Sequence, residues 1–308
     1  MVWAENVMTK LQHDHACWAV ANTAEKMLRS NPRLYSLKRD KRALSPAISA
    51  VILTSAIAVM LLVTVVFANN FLNERMAEFE FSTMKQFMQT VGLQIDDVAW
   101  IIGRTQTLRY ASKFGEVDFE PTALTYSIYV DDGEGYVYIA SYSAGIILFN
   151  MPAKTYSLGN NYYERIHPVS DRSFLQQGTS APVSHVYVIE KLPMNDGSFI
   201  RVVVAPSIRL LNSTINENKH LKFYLPCLSP GVHSYRSQSV TITGKHVHLR
   251  TEKEVNNVKI TVEFPSASHG FTSEFFEFDE PEVEVKDLKD SVVEFYSSEV
   301  TVSIGLHA

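Results

Sequence analysis

Lys41-Arg42-Ala43-Leu44-Ser45-Pro46, followed by the uncharged run Ala47 to Ala68, decides how this chain is built. A basic patch and a small residue stand directly against a helix-start signal and a membrane-length apolar segment. From Leu44 no acid or base appears until Glu74. A helix over Leu44 to Ala68 would be about 25 residues long, and at ~1.5 Å per residue it covers the ~30 Å hydrocarbon core of a bilayer. Ser45 is a good N-cap, and Pro46 suits the first turn, where its missing N–H costs nothing. A cleaved secretory signal has a shorter apolar region and ends in a downstream cleavage loop. This segment is too long, and it runs on into amphipathic sequence.

Working outward, charge sets an orientation. Residues 1–43 carry eight Lys or Arg (Lys10, Lys26, Arg29, Arg33, Lys38, Arg39, Lys41, Arg42) against four acids (Glu5, Asp14, Glu25, Asp40). That +4, set against a total of −5, leaves −9 on residues 44–308. A basic flank inside and an acidic domain outside is what the positive-inside rule expects. The acidic exported part would also repel phosphates, so no nucleic-acid role is expected. A single-pass sensor fits poorly, because residues 1–43 leave no room for an output domain.

The periodicity continues beyond the apolar run. Phe71, Leu72, Met76, Phe79, Met84, Phe87, Met88, Val91, Ile95, Val98 and Ile102 recur at three- and four-residue steps, with Glu74, Glu78, Lys85, Gln89 and Asp96 on other faces. This predicts an amphipathic continuation, residues 71–112, helical to about Arg104 or Tyr110 with Gly92 and Gly103 as weak points. The Met and Phe stripe reads as core packed against a head.

After Lys113 the period changes. Strands are expected over Thr122–Val130, Tyr136–Phe149, His185–Glu190, Phe199–Ala205, Leu221–Leu225, Val240–Leu249, Val258–Phe264 and Val292–Ile304. Asp131-Asp132-Gly133, Asn195-Asp196-Gly197, Thr243-Gly244-Lys245 and Asn256-Asn257 supply turns between them. The fold class expected is α+β: a long N-terminal helix, then an antiparallel β-sandwich-like head over residues 113–308. Pro226 to Ser239 is where a second sheet or subdomain would begin.

The junction residues resemble a known family. Lys41-Arg42-Ala43, then Leu44-Ser45-Pro46-Ala47-Ile48 and an Ile/Val/Leu/Ala run, is similar to the class III signal peptide of archaeal type IV pilins. The resemblance covers about 30 residues and implies cleavage by a membrane prepilin peptidase after Ala43, with a mature chain starting at Leu44. Residues 1–43 would then be a cytoplasmic leader and 44–70 the transmembrane and assembly helix, presenting Ile48, Ile52, Ala56, Val59 and Val63 to neighbouring subunits. Ser49, Thr54, Ser55, Ala56 and Ala58 give a small-residue face for close helix approach. Like or related pilin subunits, an assembly platform and its ATPase are the partners the resemblance implies. Bacterial type IV pilins carry Glu at the fifth mature position, whereas this chain has Ile48, so a charge pair with a neighbour's N-terminus is not available to set register. The Gly-rich start of archaeal flagellins is also absent. The leader is long for the family, and Met27 would give a more typical one.

Chemistry-bearing motifs are sparse. There is no phosphate-cradling Gly-Lys-Ser/Thr loop, no His-Glu-x-x-His and no Gly-x-Ser-x-Gly, so no enzymatic activity or cofactor is expected. Cys17 would leave with the leader, and Cys227, in an apolar context, reads as a buried structural thiol. His246 and His248 share one strand face, but no third metal ligand is evident. Glu274, Glu277, Asp279, Glu280, Glu282, Glu284 and Asp287 alternate with Phe276, Phe278, Val283 and Val285, which reads as the solvated face of an edge strand rather than a metal site. Asn212-Ser213-Thr214 is a glycosylation sequon in a polar stretch expected to form an exposed loop. The expectation is a pilin-like subunit, minor or terminal in a surface filament. The other reading is a single-pass membrane-anchored surface, adhesion or ligand-binding protein that never polymerises.

Overall fold

The computed structural model describes residues 46–169, 172–191, 194, 197–215, 218–234, 237–288 and 291–305. Among the described residues the first element is one long helix, α1 (Pro46–Ala99). Thirteen strands follow among the described residues: β1 (Thr105–Arg109), β2 (Glu116–Asp131), β3 (Tyr136–Pro152), β4 (Tyr162–His167), β5 (Leu175–Gln177), β6 (Ser184–Glu190), β7 (Phe199–Pro206), β8 (Ile208–Ile215), β9 (Asn218–His233), β10 (Ser239–Val255), β11 (Asn257–Glu263), β12 (Glu282–Val285) and β13 (Ser291–Ile304). A 3-10 turn (Pro265–His269) and a one-turn helix α2 (Ser273–Phe276) lie between β11 and β12. The chain is therefore a long apolar helix followed by a mostly β domain. It divides into two compact units between Asn69 and Asn70.

In the first unit, residues 48–69 form helix and are exposed on every face. The second unit carries the rest of α1 and both sheets. One sheet has the order β12-β11-β2-β3-β7-β6-β4 and is antiparallel throughout. The other has the order β1-β10-β13-β9-β8-β5. It is mixed rather than antiparallel, since β13 runs parallel to β9 and β5 parallel to β8. The long excursion through β10, β11 and β12 separates β9 from β13 and allows the parallel pairing, which no tight hairpin can make. Within Pro226 to Ser239, β9 extends to His233, and its Pro226 to Pro230 segment pairs with Ser298 to Val302.

Two hydrophobic clusters hold this unit. One draws on both sheets, with Tyr126, Ile128, Leu148, Val203, Leu210, Phe223, Ile260 and Phe295 among its members. The second joins Phe81, Met84, Met88, Val91, Ile95 and Val98 of α1 to Phe149, Val186, Val188, Val202, Val204, Val300 and Val302. Side chains alternate between faces along a strand. Tyr187 and Val203 thus enter the first cluster, while Val186, Val188, Val202 and Val204 enter the second. Covering on both faces is why β6 is buried along its whole length and β7 at every residue after Phe199.

The helix stops earlier than its periodicity suggests. It ends at Ala99, and Thr105 to Arg109 form a strand paired with β10. Ile102, counted as helical core by spacing, is exposed, as is its neighbour Ile101. Gly103 N donates to Gly244 O at 2.8 Å, and Gly244 N to Arg104 O at 3.0 Å. Gly244 is no hairpin turn but part of a bulge in β10, where the register shifts between Gly244 and His246. A Cβ at Gly244 would lie 2.5 Å from Val98 O and 2.8 Å from Ile101 O, so the helix end can dock only on glycine. Gly92 is likewise a contact point rather than a weak one: a Cβ there would meet Val186 Cγ2 at 2.7 Å. Ser184 Oγ donates to Gly92 O at 2.9 Å across that close approach.

Candidate functional site: an exposed apolar helix

The strongest functional feature is residues 48–69 of α1. Among the described residues, α1 is the helix long and apolar enough to cross a membrane. Pro46 to Ala68 alone spans about 34 Å at helical rise. Ile48 (50 % exposed), Ile52, Val59 and Val63 are uncovered, as is Ala56. In water this surface would be costly, at roughly 25 cal/mol per Å² of apolar area. Three of its hydroxyl residues are satisfied locally. Thr54 Oγ1 donates to Ala50 O at 2.9 Å, Ser55 Oγ to Ile52 O at 2.9 Å and Thr64 Oγ1 to Met60 O at 2.8 Å. A helix whose backbone bonds internally, with the Thr54, Ser55 and Thr64 hydroxyls bonded back onto it, suits a medium without water. Lys41, Arg42, Ala43, Leu44 and Ser45 lie outside the described residues, and Pro46 is the first residue of the helix.

Past Asn70 the helix acquires one buried side. Ala77, Phe81, Met84, Met88, Val91, Ile95 and Val98 are buried at steps of four and three, whereas Phe71, Leu72, Met76 and Phe79 remain exposed. Polar links fasten this half to the sheets. Lys85 Nζ donates to Glu164 at 2.7 Å. Asp96 accepts from Trp100 Nε1 and from Arg209, both at 2.8 Å. Trp100 meets Tyr224 edge-on, and Tyr224 stacks on Tyr296 with centroids 4.9 Å apart.

The remaining sequence candidates are scattered. Asn212 is exposed, but it sits in strand β8 opposite Leu221 rather than in a loop. His246 and His248 are exposed with ring centroids 6.1 Å apart. Among the described residues no three His, Cys, Asp or Glu side chains gather into a metal-holding group. The acidic run does not form one strand. Glu274 lies in α2 and pairs with Lys191, Glu277 caps α2 and pairs with Arg172, and only Glu282 and Glu284 belong to edge strand β12. Cys227 is half-buried, and burial, reinforced by Glu299, pushes its thiol up to about 12, so it is a poor nucleophile at neutral pH. Asp131 does turn chemistry: its carboxylate accepts from Gly133 N, Asn257 Nδ2 and Gly135 N, which hold it below the usual carboxylate range.

Sequence reasoning missed three anchoring groups. Glu190 is fully buried and accepts from Ser157 Oγ, from Leu158 N at 2.7 Å and from Gly159 N at 3.1 Å. Glu80 accepts from Ser112 Oγ and from the N–H groups of Lys113 and Phe114, both at 2.9 Å. Arg201, also fully buried, donates to Asn150 Oδ1 at 2.9 Å and lies over the Phe199 and Phe271 rings. A charge inside an apolar strand, as in Phe199-Ile200-Arg201-Val202-Val203, was the available signal, since such a group must find partners. Comparison with protein-family models, with curated proteins and with solved structures finds no match.

Proposed function

We propose that this chain is a pilin-like structural subunit, minor or terminal, of an archaeal type IV pilus-like surface filament. One observation carries the reading. A helix apolar and uncovered on all sides over residues 48–69 changes, without a break in α1, to a helix buried along one seam. The first part needs a non-aqueous environment and the second anchors a β-sandwich-like head. Before assembly the basic leader holds the N-terminus on the cytoplasmic side of the membrane. Cleavage after Ala43 by a prepilin peptidase removes that anchor. A platform and ATPase then move the helix from lipid into a bundle of like or related subunits. The exchange is feasible because faces such as Ile48, Ile52, Ala56, Val59 and Val63 pack against one another about as well as against acyl chains. The head rests on the filament surface, where adhesion would reside.

The test is the N-terminal residue of the protein isolated from its native envelope. Leu44 is expected, with Ala43→Leu blocking both processing and incorporation into filaments. An intact basic leader on surface-exposed protein would exclude the subunit and leave a static single-pass surface protein.

A further inference from the structure

A cavity of about 510 Å³ lies in the second unit, lined by Asn70, Asn73, Glu74, Phe114, Lys154 and Thr155 among others. Its volume is in the range of ligand pockets. Two features mark it as built. First, both loops that wall it are pinned by carboxylates: Glu80 gathers Ser112 Oγ and the N–H groups of Lys113 and Phe114, and buried Glu190 gathers Ser157 Oγ with the N–H groups of Leu158 and Gly159. Second, the Asn70, Asn73, Glu74, Lys154 and Thr155 side chains that line it make no hydrogen bond or ion pair with another described residue. Four of these can donate to an anion, and the fifth is a carboxylate.

The level of this cavity along the chain identifies its occupant. Its lining begins at Asn70, two residues after the apolar run ends at Ala68, and Phe71 and Leu72 beside it are about half exposed or more. Basic and aromatic side chains cluster at the same level, with Lys113 4.8 Å from the Phe114 ring and Arg75 5.4 Å from the Phe71 ring. Long Lys and Arg side chains laid along apolar rings, with their charged ends able to reach the polar layer, suit the headgroup region of a bilayer. We propose that the cavity binds a membrane-lipid headgroup carrying a phosphate and a primary ammonium. Lys154, Asn70, Asn73 and Thr155 donate to the phosphate oxygens, and Glu74 accepts from the ammonium. This rests on the membrane-spanning reading of α1.

The full chain, reconstituted into phosphatidylcholine vesicles containing phosphatidylethanolamine, is extracted in mild detergent, and retained lipid is read by native mass spectrometry. Phosphatidylethanolamine is expected to be retained about tenfold over phosphatidylcholine, whose quaternary ammonium cannot donate. Glu74→Gln abolishes that preference, and Lys154→Gln lowers retention of both lipids, with circular dichroism unchanged. Soluble glycerophosphoethanolamine at equal concentration is not retained, and its retention to the same extent would overturn the assignment to a lipid. Equal retention in wild type and both variants, with the protein still floating with the vesicles, overturns the site alone. A chain that does not float with vesicles overturns the membrane reading and the site with it.

Discussion

Glu190 illustrates how single buried groups fix this fold. Its carboxylate is the acceptor for two loop N–H groups and a hydroxyl. Glu190→Ala strands those donors and is expected to cost about 3 kcal/mol in denaturant unfolding, while Glu190→Gln, keeping one acceptor oxygen, costs less. A loss under ~0.5 kcal/mol for the alanine variant would show that the loop holds itself. Tyr187 is the opposite case. Its hydroxyl is buried without a partner, and burial raises its pKa far above the ordinary phenol value. Tyr187→Phe should therefore leave stability unchanged or raise it by about 1 kcal/mol. Glu164 gives a pH signature. Burial pushes its pKa up, but the bonds from Lys85 and Tyr162 outweigh that and leave it below the usual glutamate value. A lowered folded-state pKa contributes stability that is complete above the unfolded value and is lost as pH falls through the folded one. The pair is partly exposed, so the effect is under about 1 kcal/mol. Lys85→Met should flatten the Tm profile on the acid side, and an unaltered profile would remove this ion pair from the account.

At the scale of elements, α1 carries two contrasting constraints. Over residues 48–69 the only requirement is apolarity all round, so Val59→Arg is expected to cost ~2.5–3.5 kcal/mol of membrane insertion, read as the fraction integrated in a translocation assay. Full integration of that variant would count against the helix crossing a bilayer. Over residues 77–98 the requirement is shape. Gly92→Val drives a branched side chain into Val186 and should destabilise the domain by about 1–3 kcal/mol, although valine is the better helix former. A raised Tm would mean that helix and sheet separate easily. The alternation of the strands was legible in the sequence: seven of the eight expected strands lie within β2, β3, β6, β7, β9, β10 and β13, and the eighth matches β11 up to Glu263, one residue short of the expected end. Strands β1, β4, β5 and β8 were not legible. They are edge or near-edge strands, β1 and β4 without one buried residue and β5 only three residues long, and pairing with a neighbour defines them.

For the whole molecule, charge asymmetry and the apolar helix together imply a topology. The head, with its −9 charge on residues 44–308, should lie outside and the Lys- and Arg-rich flank inside. Protease added to intact cells is expected to remove the head and to spare residues 1–43 in unprocessed protein. Cleavage of the leader instead would invert the proposed orientation. The sequence by itself determined the apolar helix, the change of period after it and the β-rich character of the head. Those properties are written in local composition and in spacings of two, three and four residues. Only the tertiary structure decided where the helix stops, that one sheet is mixed, that Gly92 and Gly244 are docking points, and that Glu80 and Glu190 pin the loops beside a cavity. Each of these depends on groups distant in the chain meeting in space, which neither composition nor spacing records.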